Sequence, residues 1–134
     1  MIAVDTSLVV ALFASWHEAH QSAREAVPAE VHLPAHVLLE SYSVLTRLPP
    51  PHRAPPDIVE SFLKRRFQGK LLTLPGSGHR TLLKAAREGG ISGGSVYDAL
   101  VAATAKHADA TLLTRDRRAV RVYETMGVTF RMVG

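Results

Sequence analysis

Short apolar runs alternate along the chain with longer stretches whose apolar residues recur every three or four positions. Met1-Ile-Ala-Val4 reads as a strand, and Asp5-Thr-Ser7 places helix-capping side chains directly before the periodic Leu8 to Phe13. A second helix is expected from His17 to Val27, with Ala19, Ala23, Ala26 and Val27 on its inner stripe and His17, His20 and Arg24 facing away. Val31-His-Leu33 is a brief strand. His36 to Leu48 is helical until Pro49-Pro-Pro51 stops it, and the prolines through Pro56 form a stiff connector too short to divide domains. Asp57 and Glu60 have the spacing of a capping pair for the next helix, whose inner stripe is Ile58, Phe62, Leu63 and Phe67, with Lys64 and Arg65 outside.

Leu71-Leu-Thr-Leu74 reads as the third strand, and Ser77 as the cap of a helix that runs to Arg87 and ends at Gly89-Gly90. A glycine-rich loop leads to Ser95 and a helix through His107. Thr111-Leu-Leu-Thr114 is the fourth strand, Asp116 opens a helix that Gly127 stops, and Val128, Phe130 and Met132 alternate as a closing strand. Strands that alternate with helices predict an α/β fold, a parallel sheet covered by helices on both faces. Ligands of such sheets bind beyond the carboxyl ends of the strands, and Asp5 and Asp116 stand at two such ends.

With 134 residues, positions 1–134 suit one compact domain. The absence of cysteine excludes a disulfide framework and a thiolate metal site, and suits a reducing cytoplasm. No apolar run approaches the roughly 20 residues of a membrane span, and Met1 to Leu12 lacks the basic flank of a signal peptide. The net charge of +4 hides an asymmetry: residues 1–63 carry three basic and seven acidic side chains, residues 64–134 thirteen and five. A basic half of that kind attracts polyanions such as nucleic acid, or simply keeps the surface solvated.

Four acids carry the chemistry. Asp5 and Asp116 each follow a strand and precede a helix, so each is a helix cap, a functional acid, or both. Asp98 is the one charge in Val96-Tyr-Asp-Ala-Leu-Val-Ala-Ala-Thr-Ala105, which is apolar almost all round, the mark of a buried helix. Ser95 and Asp98 have capping-box spacing, which leaves capping and chemistry both open. Glu40 lies three residues after Val37 and four before Val44, at the border of an apolar helix face, where it reaches a shared site or turns out to solvent. If the four met, each close pair would repel by about 4 kcal/mol at about 4 Å and an effective dielectric near 20, so the bare cluster would protonate or bind cations. Oxygen ligation without thiolates suits Mg2+ or Mn2+.

Four segments in this order, Ile2-Ala-Val-Asp-Thr-Ser7, Leu39-Glu-Ser-Tyr42, Tyr97-Asp-Ala-Leu-Val-Ala-Ala103 and Leu113-Thr-Arg-Asp-Arg-Arg118, resemble the PIN domains, and among them the VapC-like toxins. The resemblance runs over nearly the whole chain. It implies a three-layer fold with a five-stranded parallel sheet of order 3-2-1-4-5, and an acidic pocket in which Asp5, Glu40, Asp98 and Asp116 are the catalytic and metal-binding acids. It further implies that Thr6 and Thr114 orient those carboxylates, although capping and strand ending are their alternative roles. It implies an endoribonuclease acting as the toxin of a toxin–antitoxin pair, a homodimer, and a VapB-like antitoxin that assembles with it as a heterotetramer or larger. The helices from His36 to Phe67 are where antitoxin contacts are expected.

The reaction so implied is metal-assisted hydrolysis of an RNA phosphodiester. The sequence has no cysteine, and its seven histidines are scattered, so neither a covalent nucleophile nor a histidine base is expected. Arg115, Arg117 and Arg118, with Arg121, crowd the last acid, where they grip an RNA backbone or are merely solvated. The glycine loop Gly89-Gly-Ile-Ser-Gly-Gly94 lacks the lysine of a phosphate-binding loop. Trp16, Tyr42, Tyr97 and Tyr123 are spread out and are read as core or interface residues. Two other readings remain. One is a catalytically silent PIN module that binds RNA or a protein. The other is a receiver-like signalling domain, disfavoured because Pro75-Gly-Ser-Gly78 after the third strand holds no acid to phosphorylate.

Overall fold

A computed structural model describes residues 1–134. Its elements are β1 (Ile2–Val4), α1 (Thr6–Phe13), α2 (His20–Ala26), α3 (Ala35–Thr46), α4 (Pro56–Arg66), α5 (Gly76–Glu88), α6 (Ser95–His107), β2 (Thr111–Thr114), a 3-10 turn (Arg117–Ala119), α7 (Val120–Met126) and β3 (Phe130–Met132). The three strands form a parallel sheet of order β1-β2-β3. Both Leu112 and Leu113 of β2 are fully buried. Successive strand residues point to opposite faces, so helices cover both, and α1 and α6 each touch β2.

The expected second and third strands form only isolated parallel bridges, Ala3 with His32 and Pro34 with Leu72. Proline explains part of this. Pro34 has no N–H to donate, so the ladder beside β1 ends after His32 N–H bonds Ile2 O at 2.8 Å. Leu72 is held on both sides, its N–H on Leu33 O and its carbonyl accepting from Ala35 N–H. The regular sheet is therefore three strands wide where five were expected.

Packing follows the expected stripes with some differences. The main core joins β1, α1, α3, α4, α6 and β2 around Leu8, Val9, Leu33, Val37, Leu45, Val59 and Leu112. In α4 the inner positions are Val59, Leu63 and Phe67, while Ile58 is half-exposed, because the helix starts at Pro56 with Pro55 as cap and so turns a different face inward. Asp57 sits in its first turn rather than capping it, and Ser77 likewise does not cap α5, which begins after Pro75. His20 does not face away: α2 starts there, and its Nδ1 lies 2.8 Å from Ala11 O. Ala26, placed on the inner stripe, is exposed. α7 ends as read from the sequence, at Gly127, whose φ of 72° favours a residue without a side chain. No helix is long and apolar enough to cross a membrane.

Candidate active site

Register brings Asp5 to the carboxyl rim. Val4 pairs with Leu113 across β1 and β2, and Asp5 N–H continues the ladder one step by bonding Leu113 O at 3.2 Å. Its carboxylate therefore lies beside Thr114, the last residue of β2. Asp5 also caps α1, accepting from Leu8 N–H at 3.4 Å. The capping reading of Asp5 holds.

Asp5 is only 4% exposed and is served by hydroxyls from three elements. Ser7 Oγ donates to Oδ1 at 2.5 Å, and Thr114 Oγ1 and Tyr123 OH both donate to Oδ2, the tyrosine at 2.8 Å. Burial pushes the Asp5 carboxyl above its ordinary range, and the bonds from Ser7, Thr114 and Tyr123 oppose that. The Tyr123 hydroxyl is itself pushed up, first by burial and then by Asp5, so it remains a donor. Thr114 Oγ1 accepts from Asp116 N–H at 3.0 Å, and Ser7 Oγ accepts from Arg115 N–H at 2.8 Å. These bonds tie the loop after β2 to the start of α1.

The other acids face the same place. Asp98 lies in the first turn of α6, whose cap is Gly94, and the Ser95–Asp98 capping box does not form. Its carboxyl is raised to about 6, by burial first and then by Asp116, Glu40 and Asp5, against Arg118 alone. Thr6 Oγ1 donates to Glu40, and the cap of α1 is Asp5 rather than Thr6. Asp116 caps the 3-10 turn through Arg118 N–H at 3.0 Å. No three carboxylate or imidazole groups form a ready-made ligand set as they stand. Unneutralised like charges sharing one pocket repel, and a hard divalent cation is what such an all-oxygen group fits.

Two residues at the site escaped sequence reasoning. Tyr123 was grouped with the core aromatics, and at 1% exposure it is core, but its hydroxyl is spent on Asp5. The signal available was its place two turns after Asp116. His36 lies one helical turn before Glu40, with Nε2 3.4 Å from Oε2, and its ring stacks on Tyr97 at 5.2 Å between centroids. Tyr97 and Trp16 are half-exposed rather than core. Of the arginines, Arg115 turns its guanidinium toward Glu18 at 3.9 Å, whereas Arg117 and Arg118 are exposed, Arg118 Nε lying 3.7 Å from Asp116.

A strand-rim carboxylate gripped by hydroxyls, beside an Asp98 that the charges of Asp116, Glu40 and Asp5 all raise, defines a class rather than one protein. The PIN domain model matches residues 2–125, and the chain belongs to the PIN-domain family. It is 50% identical over 133 residues to ribonuclease VapC40 of Mycobacterium tuberculosis, with 99% of each chain covered. It is 41% identical to ribonuclease VapC27 of the same organism, over 95% of this chain and 93% of the relative. Among solved structures it is similar in fold to FitAB bound to an IR36 DNA fragment, with a TM-score of 0.73 at 18% identity, covering 98% of this chain and 94% of that one. VapC20 of M. tuberculosis, described as a sarcin-ricin loop cleaving toxin, is also similar in fold, with a TM-score of 0.71 at 19% identity over 90% and 93%.

Proposed function

We propose that this protein is a metal-dependent endoribonuclease, the toxin of a toxin–antitoxin pair, built as a single PIN domain over residues 1–134. The observation that carries the reading is Asp98, which the charges of Asp116, Glu40 and Asp5 reach together in a half-buried pocket. Half identity over the full chain to a protein named a ribonuclease supports it. The isolated bridges of Ala3 with His32 and Pro34 with Leu72 support a strand order of 3-2-1-4-5.

Asp5, Glu40, Asp98 and Asp116 are the residues that hold Mg2+ or Mn2+. The ion, when bound, acidifies and orients a water and offsets charge on the phosphate. The chain's own part is preparation. Ser7, Thr114 and Tyr123 fix the Asp5 carboxylate, and Thr6 fixes Glu40, so that the acids present oxygens in set directions. Arg117 and Arg118, exposed at the rim, attract the RNA backbone, while Arg115 is half-buried against Glu18.

The partner is an antitoxin of the VapB kind, supported by fold likeness to FitAB and to VapBC complexes. A groove of about 450 Å³ between α3 and α4, lined by Leu38, Leu39, Tyr42, Pro56 and Leu63, agrees with antitoxin contact on the helices between His36 and Phe67. Homodimer formation and a cytoplasmic setting complete the reading. The test is incubation of purified protein with RNA and Mg2+ or Mn2+, with and without chelator, alongside Asp5→Ala and Asp98→Ala. Cleavage is expected to vanish with chelator and with either substitution; cleavage that persists in both variants overturns the reading. A short antitoxin-like reading frame directly upstream is the expected genetic context.

A further inference from the structure

We propose that Tyr123 is a positioning residue for the candidate metal site, its hydroxyl fixing the direction in which Asp5 presents its carboxylate. This rests on the reading of the four acids as ion ligands. Asp5 Oδ2 accepts two bonds, from Thr114 at the end of β2 and from Tyr123 on α7. A carboxylate oxygen has two in-plane lone pairs, so these donors fill that oxygen and set the rotation of the whole group about its Cβ–Cγ bond. Ser7 Oγ at 2.5 Å holds Oδ1, and the remaining donor there, Leu8 N–H, is long at 3.4 Å. The long Leu8 bond is the weakest of the four, so Oδ1 is the oxygen whose acceptor capacity is least committed.

Tyr123 is suited to this task by its surroundings. The ring is 1% exposed and packs edge-on against Phe130 at 5.8 Å, so the phenol cannot swing away to another acceptor. Residue 123 lies 118 positions from Asp5, and through this bond the placement of α7 bears on the geometry of an acid in the first turn of the chain. Partners one step behind a metal ligand change ion affinity or activity by about 10- to 100-fold when removed. Without the hydroxyl the carboxylate pivots on Thr114 and Ser7, and ordering it on the ion becomes part of the binding cost.

The experiment titrates Mn2+ into the full-length protein without RNA, with free Mn2+ read by electron paramagnetic resonance. Tyr123→Phe is compared with wild type, with Asp98→Ala, and with Tyr42→Phe as a matched control on the exposed side of α3. The expected result is a Kd for Mn2+ raised about 10-fold by Tyr123→Phe, unchanged by Tyr42→Phe and raised beyond measurement by Asp98→Ala. At saturating Mn2+, kcat for RNA cleavage falls while KM stays within about 2-fold, since the RNA-facing surface is untouched. An unchanged or tightened Kd in Tyr123→Phe overturns the proposal, even if the melting temperature in chelator drops, because that pattern describes a hydroxyl that only stabilises the fold. If Tyr123→Phe does not fold, 4-fluorophenylalanine incorporated at position 123 keeps the bulk and removes the donor, and the same Kd comparison decides. Wild-type ion binding in Asp98→Ala sinks the metal-site reading itself, a separate outcome from a silent Tyr123→Phe.

Discussion

Asp5 lies near enough for its charge to raise Asp98, and both have carboxyls raised by burial, yet the chain treats them in opposite ways. Asp5 is enclosed and has a donor for each oxygen, supplied by α1, β2 and α7. Asp98 is half-buried and is opposed only by the Arg118 guanidinium, with three other acids pressing on it. A carboxylate surrounded by donors is held in one direction; one pressed by other carboxylates favours a proton or a cation.

Substitution is the strongest way to break the comparison. Asp5→Ala and Asp98→Ala are both expected to lower RNA cleavage by more than about 100-fold, measured on one RNA at fixed Mn2+; survival of activity in one but not the other assigns the chemistry to the survivor's partner alone. Their stabilities in chelator are expected to diverge. Asp5→Ala orphans the buried hydroxyls of Ser7, Thr114 and Tyr123 and is expected to cost about 1–3 kcal/mol by urea unfolding. Asp98→Asn removes an unwelcome charge and is expected to stabilise the ion-free fold by about 1 kcal/mol at pH 7.5, after discounting the shift for partial exposure.

The pH dependence sharpens that last point. Because the folded pKa of Asp98, about 6, lies above its ordinary 3.8, the folded state binds its proton more tightly than the unfolded state. The ion-free wild type therefore loses this contribution as pH rises from about 4 through 6, and the advantage of Asp98→Asn is expected to shrink toward zero below about pH 4 in chelator. A gain that is flat from pH 3 to 8 contradicts the assignment. Smallest of all, Arg118→Ala is expected to change stability by less than about 0.5 kcal/mol, since the side chain is almost fully exposed. Its effect is expected instead in a reduced salt dependence of RNA affinity.

Much of this was legible from residue pattern. All four acids were singled out because each stands where an α/β sheet gathers ligands or where a helix is too apolar to carry a charge idly. The helix starting at Ser95 and the stop at Gly127 were equally plain. What escaped were features set by tertiary context. Pro34 shortens a ladder that Val31-His-Leu33 would otherwise extend. The cap at Pro55 turns α4 so that Val59 rather than Ile58 points inward. Tyr123 and His36 reach the pocket through folding alone, since neither sits in a pattern that a single sequence distinguishes from core or surface. The capping boxes proposed for Ser95–Asp98 and Asp57–Glu60 failed because proline or glycine already held the cap position.

Thr114 shows how narrowly the rim is keyed. Its single hydroxyl receives Asp116 N–H, which leaves its hydrogen aimed at Asp5 and at nothing else. The backbone of the last acid and the carboxylate of the first are thereby latched together through one hydroxyl. Slide β1 past β2 by a single residue and Leu113 or Arg115 stands opposite Asp5 instead, unable to close the latch. The threonine is a gauge of strand alignment, and a chain whose strands have mispaired is left without a working site.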